Sequence, residues 1–474
     1  MRNASPLILL VLAACMGAPS YRPPPVALPT TWRETNPERV AAYAPTPDRG
    51  AEHEPVDFDT AFWQALGDTT LTRLMNEALH NNFDVQAAKA RVRAARAERA
   101  RATFDLAPDV VASGGYARRR LAGAGFPGTV GRLPDEDIWD VGFDAAWELD
   151  VFGRNRHNVR ARGALLEVSR EDLRDVLVSL TAELARAYFE LRGAQEQLAV
   201  AQGNAENQRR TLEVTRERLD AGRGTALDTE RATAQLNVTL ASIPTREAQV
   251  AAAQYRIGVL VGRTPAAVAG ELGPIDDRPS LPVTVAVTRP DSVVRNRPDV
   301  AAAERFAAAQ AALVSSARAE YLPRFAIAGS AGYTGTDFGG LGDEGTFRYA
   351  VGPVITWPGL NLGRVRTEVS AARAREEAAR AEYGRIALAA IEEVETALAT
   401  YRASHVRVER LEEASAASER AADLARMRFS EGITDFLQVL DAERTQLEAQ
   451  DLLAQGRTEA ASAYAAVYKA LGGP

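Results

Sequence analysis

A single cysteine, Cys15, stands in 474 residues, so no disulfide within the chain holds this protein together. Long apolar runs are missing as well. Beyond the first fifteen residues nothing approaches the ~20 consecutive apolar residues of a membrane-spanning helix, so any crossing of a bilayer must use strands. Charge of one sign is absent: 56 basic and 63 acidic side chains are interspersed and leave a net charge of −7, which denies the basic face a nucleic acid requires. Catalytic groups are sparse. His53, His80, His157 and His405 are scattered, none at ligand spacing from a cysteine or carboxylate, and the glycines of GYTGTDFGGLG lack the lysine and strand-to-helix setting of a phosphate loop. No catalytic residue, metal or cofactor is expected, and the chain reads as no enzyme.

What the chain does have is alanine and charge, with aromatics at only 7%. Such a composition at helical period points to long helices packed closely, because alanine lets backbones approach. Residues 1–14 read as a signal segment, with Arg2 ahead of a short apolar run from Leu7 to Leu12. Leu12-Ala13-Ala14-Cys15 resembles the lipobox of bacterial lipoproteins, which makes Cys15 the expected lipid attachment point. Residues 15–60 then carry Pro19, Pro23, Pro24, Pro25 and Pro29, the composition of an extended tether.

The body is an internal repeat. Asn81 to Pro108 aligns with Asn296 to Pro323 without a gap, WELDVFGR (147–154) with WPGLNLGR (357–364), and the glycines at 222 and 432 stand 210 residues apart. Repeat 1 is placed at 61–262 and repeat 2 at 289–472, with a linker at 263–288. Each copy follows one plan: a helix, an irregular apolar stretch, a very long helix, a break and a return helix.

In the first long segment Leu173, Val176, Leu180, Leu184, Ala187 and Leu191 advance by threes and fours, a coiled-coil seam rather than a broad apolar stripe. Uninterrupted helices are expected over 154–221 and 364–431, each about 100 Å long if straight. Return helices follow at 225–262 and 435–472. Pro244 lies in the first, where a kink or restart is expected. Gly222 and Gly432 mark the turns, glycine tolerating the left-handed C-cap, while Thr225 with Asp228, and Thr434 with the acids after it, suit helix N-termini.

The irregular stretches alternate with period two. Trp139, Val141, Phe143, Ala145, Trp147 and Leu149 point one way, and Asp140, Asp144, Glu148 and Asp150 the other. Phe347 to Trp357 repeats the pattern, so hairpins are expected at about 106–150 and 323–357. They suit either a half-buried sheet on a protein core or a piece of transmembrane barrel with an apolar outside. Four strands do not close a barrel, so the second reading requires several copies. Arg118, Arg119 and Arg120 read as a solvated charge run or as a phosphate-binding patch near a membrane rim.

Taken together, the lipobox followed by YRPP, the two strand-to-helix junctions and LDAERTQL resemble the TolC-type outer-membrane factors, in particular their lipoprotein branch with OprM and NodT. The likeness runs from Cys15 to Leu471. It implies a mostly α, α+β fold. Three copies would join their strands into a 12-strand barrel and their helices into a 12-helix periplasmic tunnel. It further implies a homotrimer lipid-anchored in the outer membrane of a Gram-negative bacterium, working with a periplasmic adaptor and an inner-membrane transporter of the resistance-nodulation-division class. Its role would be the exit duct for small molecules such as drugs. A protein-secreting duct and a periplasmic coiled-coil adaptor or scaffold lipoprotein are the alternatives.

Site residues follow from the same resemblance. Gly222, Gly224, Thr225, Gly432, Ile433 and Thr434 would form helix-turn tips that dock the adaptor. Leu437, Gln438 and Asp441 would form the periplasmic gate, with glutamine where some members carry an acid. Asp140, Asp144, Glu148 and Asp150 would line the barrel lumen.

Overall fold

The computed structural model describes residues 61–120, 134–273 and 289–473, together with Tyr21, Pro25, 29–33, Leu281, Pro282, Val285 and Val287. The expected signal segment, Cys15, most of the tether and much of the linker lie outside the described residues. Within them the order is α1 (Ala61–Gln64), α2 (Thr69–Asn81), α3 (Phe83–Phe104), β1 (Asp109–Arg119), β2 (Glu136–Glu148), α4 (Arg154–Asp220), α5 (Ala226–Leu260) and α6 (Pro265–Ala269). The second copy follows as α7 (Pro290–Asn296), α8 (Pro298–Ala319), β3 (Arg324–Gly335), β4 (Phe347–Thr356), α9 (Leu362–Ser430) and α10 (Phe436–Ala470). The long helices, 67 and 69 residues, run within two residues of the spans read from spacing.

Helix α5 continues through Pro244, so of the kink or restart expected there the restart does not occur. A proline removes one donor, yet it stands within a 35-residue helix and buried residues of α5, Leu236 and Ile257 among them, anchor both flanks.

Two compact units divide the chain. One gathers Arg91–Arg170 and Ala302–Gly384 around the strands. Its four strands form one antiparallel sheet in the order β1-β2-β3-β4, so β2 and β3 join the two hairpins into a single surface. Register fixes the faces. Val110, Ala112, Gly114 and Tyr116 lie opposite Ala145, Phe143, Val141 and Trp139. Val141, Phe143 and Trp147 lie opposite Tyr333, Ala331 and Ile327, and these in turn opposite Phe347, Tyr349 and Pro353. Opposed residues share a face, so this side carries no charge between Val110 and Tyr116. No described residue covers its side chains: Phe143 is 62% exposed and Tyr349 and Val351 are each 74%. Such an apolar face, with no packing partner among the described residues, suits lipid better than a protein core.

Hydrogen-bond parity follows from two rungs, Leu149 N to Phe325 O at 2.7 Å and Thr334 N to Thr346 O at 2.8 Å. In antiparallel pairing one residue's N–H and C=O point to the same neighbour. Even-numbered residues of β4 therefore bond β3, and the odd-numbered ones, Pro353 included, face the open edge. The tension of a proline in a strand is thus moved to the rim, where proline is tolerated.

The other unit gathers Val26–Ala90, Glu171–Ala301 and Arg385–Pro474. Its core holds Trp63, Leu71, Leu74, Met75, Leu184, Tyr188, Leu191, Ile257 and Tyr468. The duplication is visible as a doubled knot. Asn82 Nδ2 donates to Leu260 O at 3.0 Å, satisfying the end of α5, while its Oδ1 accepts from Asp84 N at 2.8 Å and Val85 N at 3.2 Å. At the equivalent place Arg297 Nη1 donates to Ala470 O at 2.7 Å, satisfying the end of α10, and the guanidinium also binds Asp299 and Glu393. One seat thus joins each return helix to the helix that precedes its hairpin, with different chemistry in the two copies.

Candidate functional site: the helix-turn tips and the sheet

Each tip is built by backbone conformation first. Gly222 has φ +70° and Gly432 φ +80°. Gly222 N donates to Leu219 O at 2.9 Å and Arg223 N to Arg218 O at 2.8 Å. Gly432 N donates to Phe429 O at 2.9 Å and Ile433 N to Arg428 O at 2.9 Å. Both turns are Schellman motifs that satisfy the last carbonyls of the long helices. Gly224 has a different reason to be glycine: a side chain there would press on Leu219 N at 3.1 Å.

Return helices are capped differently in the two copies. Thr225 Oγ1 accepts from Asp228 N at 3.2 Å and Thr225 N donates to Asp228 Oδ2 at 3.3 Å, a capping box. In the second copy the cap is Asp435, whose Oδ1 accepts from Gln438 N at 3.2 Å. Thr434, expected in that role, stands one residue early and leaves its hydroxyl buried with no partner. The correction follows from the repeat itself, because 210 residues separate Thr225 from Asp435, not from Thr434.

The gate candidates lie on one side of α10. Phe436 and Val439 are buried in a cluster with Leu212, Leu236 and Phe429. Leu437, Gln438 and Asp441 are exposed, as is Ile433. Leu437 and Asp441, four residues apart, share a face that no described residue of the chain covers.

One residue that spacing did not single out joins the two tips. Arg218, at the end of α4, donates from Nη1 to Phe429 O near the end of α9, and its Cζ stands 4.5 Å from the centre of the Phe429 ring. Phe429 in turn meets Phe436 edge-on at 5.7 Å. The first copy therefore caps the second copy's long helix. Arg428 holds the equivalent place in the second copy and is exposed, so the sequence carried no signal to separate the two arginines.

On the sheet the acids are less free than alternation suggested. Asp140 is held by Arg348 at 2.5 and 2.9 Å and by Thr334 at 2.5 Å. Glu148 accepts from Arg154 at 2.7 and 3.1 Å. Asp150 lies beyond the end of β2 and caps α4, accepting from Asn155 N and Arg156 N at 2.9 Å each. Only Asp144 is bound by a neutral group alone, Ser113 at 2.8 Å. The four do not form an uncompensated acidic lining, because cations from β4 and from the start of α4 reach three of them. Arg118 and Arg120 share Asp135, and Arg119 pairs with Glu136, across the hairpin.

At the helix end of the sheet, Trp147 Nε1 donates to Leu106 O at 2.9 Å and Trp357 Nε1 to Tyr321 O at 3.1 Å. Each indole ties its strand to the turn that opens its own hairpin. An apolar body with a bonded N–H is the arrangement tryptophan adopts where lipid gives way to water.

Comparison with known proteins agrees with this geometry. The family model described as outer membrane efflux protein matches residues 74–263 and 290–473, the two copies separately. The chain is 26% identical to nodulation protein T of Rhizobium leguminosarum bv. trifolii, over 99% of this chain and 97% of that one. It is 29% identical to the pyoverdine export outer membrane protein OpmQ of Pseudomonas aeruginosa, over 100% and 97%. Among solved structures the outer-membrane channel OprN superposes with a TM-score of 0.87 at 36% identity, covering 97% of this chain and 99% of that one. A twofold repeat of long helices, one four-stranded sheet with a bare apolar face and no catalytic constellation among the described residues describe a conduit, and the chain belongs to the outer membrane efflux protein family.

Proposed function

We propose that three copies of this chain form an outer-membrane exit duct whose periplasmic end is closed at the second-copy tip by Leu437, Gln438 and Asp441. The observation that carries the gate is the two-sidedness of α10. Phe436 and Val439 are packed inside the chain, whereas Leu437 and Asp441 present an apolar group and a carboxylate to empty space. Around a threefold axis, three Leu437 side chains make an apolar plug and three Asp441 carboxylates an anionic ring. Like charges held close repel, which favours opening or a bound cation.

The tip turns, with Gly222, Gly224, Thr225, Gly432, Ile433 and Thr434, form the surface on which a periplasmic adaptor docks. An inner-membrane transporter of the resistance-nodulation-division class feeds that assembly. The apolar face of the sheet contacts outer-membrane lipid, Asp144 and its paired neighbours line the lumen, and Cys15 carries the lipid. OpmQ is named for pyoverdine export; a small organic molecule is the cargo class proposed here.

Single-channel conductance of the isolated trimer in planar bilayers tests the gate. Asp441→Ala and Leu437→Ala each raise the basal leak. Wild-type conductance in both variants removes the gate from this position.

A further inference from the structure

A second feature of the tip region lies inside the packing. Along α4, Asn204, Gln208, Thr211 and Thr215 advance by four, three and four, the spacing of a coiled-coil seam, and all four are buried. Along α10 the same spacing carries Val439, Glu443, Gln446 and Gln450. Two hydrogen bonds set the register between the helices: Asn204 Nδ2 to Gln450 Oε1 at 2.8 Å and Thr211 Oγ1 to Glu443 Oε1 at 2.7 Å.

Counting inward from either bond places Gln208 opposite Gln446. Gln208 is four residues beyond Asn204 and three before Thr211, and Gln446 is four before Gln450 and three beyond Glu443. Gln208 is 3% exposed and Gln446 4%. Both amide atoms of Gln208 and the Oε1 of Gln446 have no hydrogen-bond partner, nor does Thr239 Oγ1 on α5. Thr239 stands at the same level of its hairpin: fourteen residues separate Gln208 from Gly222, and fourteen separate Thr225 from Thr239. Four orphaned polar atoms thus lie in one layer, between well-bonded layers on either side. Native cores leave few such atoms, because each forfeits its bond to water without replacement.

The other copy has no such layer. Its equivalent seats hold Ser418, whose hydroxyl donates to Ser415 O at 2.8 Å, and Leu236, which is buried in an apolar cluster. Toward the strands the α4–α10 contact becomes tight: a Cβ on Gly193 would fall on Thr458. The same helix pair is therefore closely locked at one level and poorly satisfied fifteen residues nearer the tip.

We propose that the Gln208–Gln446 layer is the parting line of the duct, where α10 separates from α4 when the tip opens. This rests on the reading of the tip as the gate. In the packed state the amides lack partners; once the helices part, water satisfies them. The layer sets register through its bonded neighbours and lowers the free energy of opening through its unbonded atoms. Leucine at both seats removes that drive while keeping the volume.

The test uses the full-length trimer in planar bilayers. The double variant Gln208→Leu/Gln446→Leu opens about tenfold less often than wild type, the effect of leaving one buried polar group fewer to be rescued by opening, and its trimer melts at a higher temperature. An opening frequency equal to or above wild type overturns the proposal. A second pair, Gln208→Cys/Gln446→Cys, covers the case in which the leucine variant fails to assemble. Oxidation closes this duct and reduction reopens it; an oxidised, cross-linked trimer that still opens overturns the proposal as well. Leu437→Ala recorded in the same bilayers separates the two readings. Leak without an effect of the cross-link removes the parting line alone, and a blocking cross-link without leak removes the gate position alone.

Discussion

Arg218 stands over the ring of Phe429, its Cζ 4.5 Å from the ring centre, and donates to that residue's own carbonyl, so one side chain of the first copy closes the end of the second copy's long helix. The contact combines a cation–π interaction with a charge-assisted hydrogen bond, together about 2 kcal/mol at a half-buried site. Arg218→Ala therefore loosens the tips locally. Hydrogen exchange at 427–435 rises about thirtyfold while the sheet is unaffected. Arg218→Lys recovers little, because an ammonium does not lie flat on the ring while bonding in its plane.

The turn glycines separate conformational strain from crowding. Gly222→Ala meets nothing within 4 Å and incurs only the left-handed φ, about 1 kcal/mol. Gly262→Ala has the same strain at φ +74° and also drives a Cβ to 2.5 Å from Asn81 O. It costs several times more, read as the difference in denaturant midpoint between the two variants.

The doubled knot carries unequal weight. Asn82→Ala leaves Leu260 O and the start of α3 without partners, at about 1–2 kcal/mol. Arg297→Ala strands two carboxylates and the carbonyl of Ala470, and costs about 2–4 kcal/mol after allowance for the partial exposure of Asp299 and Glu393. Thermal melting of the two variants at neutral pH checks the order.

Charge on the polar face of the sheet follows pairing rather than the count of acids. Arg348 neutralises Asp140 at 2.5 Å, so Arg348→Ala frees that carboxylate and raises cation preference, while Asp144→Asn lowers it. Reversal potentials under a salt gradient distinguish the two.

His405 supplies an acid sensitivity. Burial pushes its imidazole below the usual 6.5, with the Pro282 carbonyl opposing, and Nε2 has no partner. A depressed value in the folded state means that the unfolded chain takes up the proton first. The contribution of His405 to stability is thus constant above about pH 7 and declines as pH falls through 6.5. His405→Gln flattens that decline, seen as melting temperatures that converge between pH 7.5 and 5.

Much of this fold is legible in the sequence because long helices advertise themselves. The seam Leu173 to Leu191 and the glycines 210 residues apart locate helices and turns to within two residues. Strand alternation locates both hairpins, but the pairing of β2 with β3 is a long-range choice on which local pattern is silent. The cap at Asp435 is readable once the repeat is counted, whereas Thr434 misleads because a hydroxyl beside an acid offers two equally good caps. Arg218 and Arg348 are not readable at all. Each acts on a partner about two hundred residues away, and nothing in the local setting of either arginine names that partner.

The odd-numbered residues of β4 turn their backbone outward, and Pro353 among them has no hydrogen to offer. A strand that lays itself along that rim finds every rung but one. An edge short of one donor is a weaker seam than the fully bonded β1-β2-β3-β4 pairings inside the sheet, so heating is expected to strip a strand seated there before the four-stranded panel itself unravels.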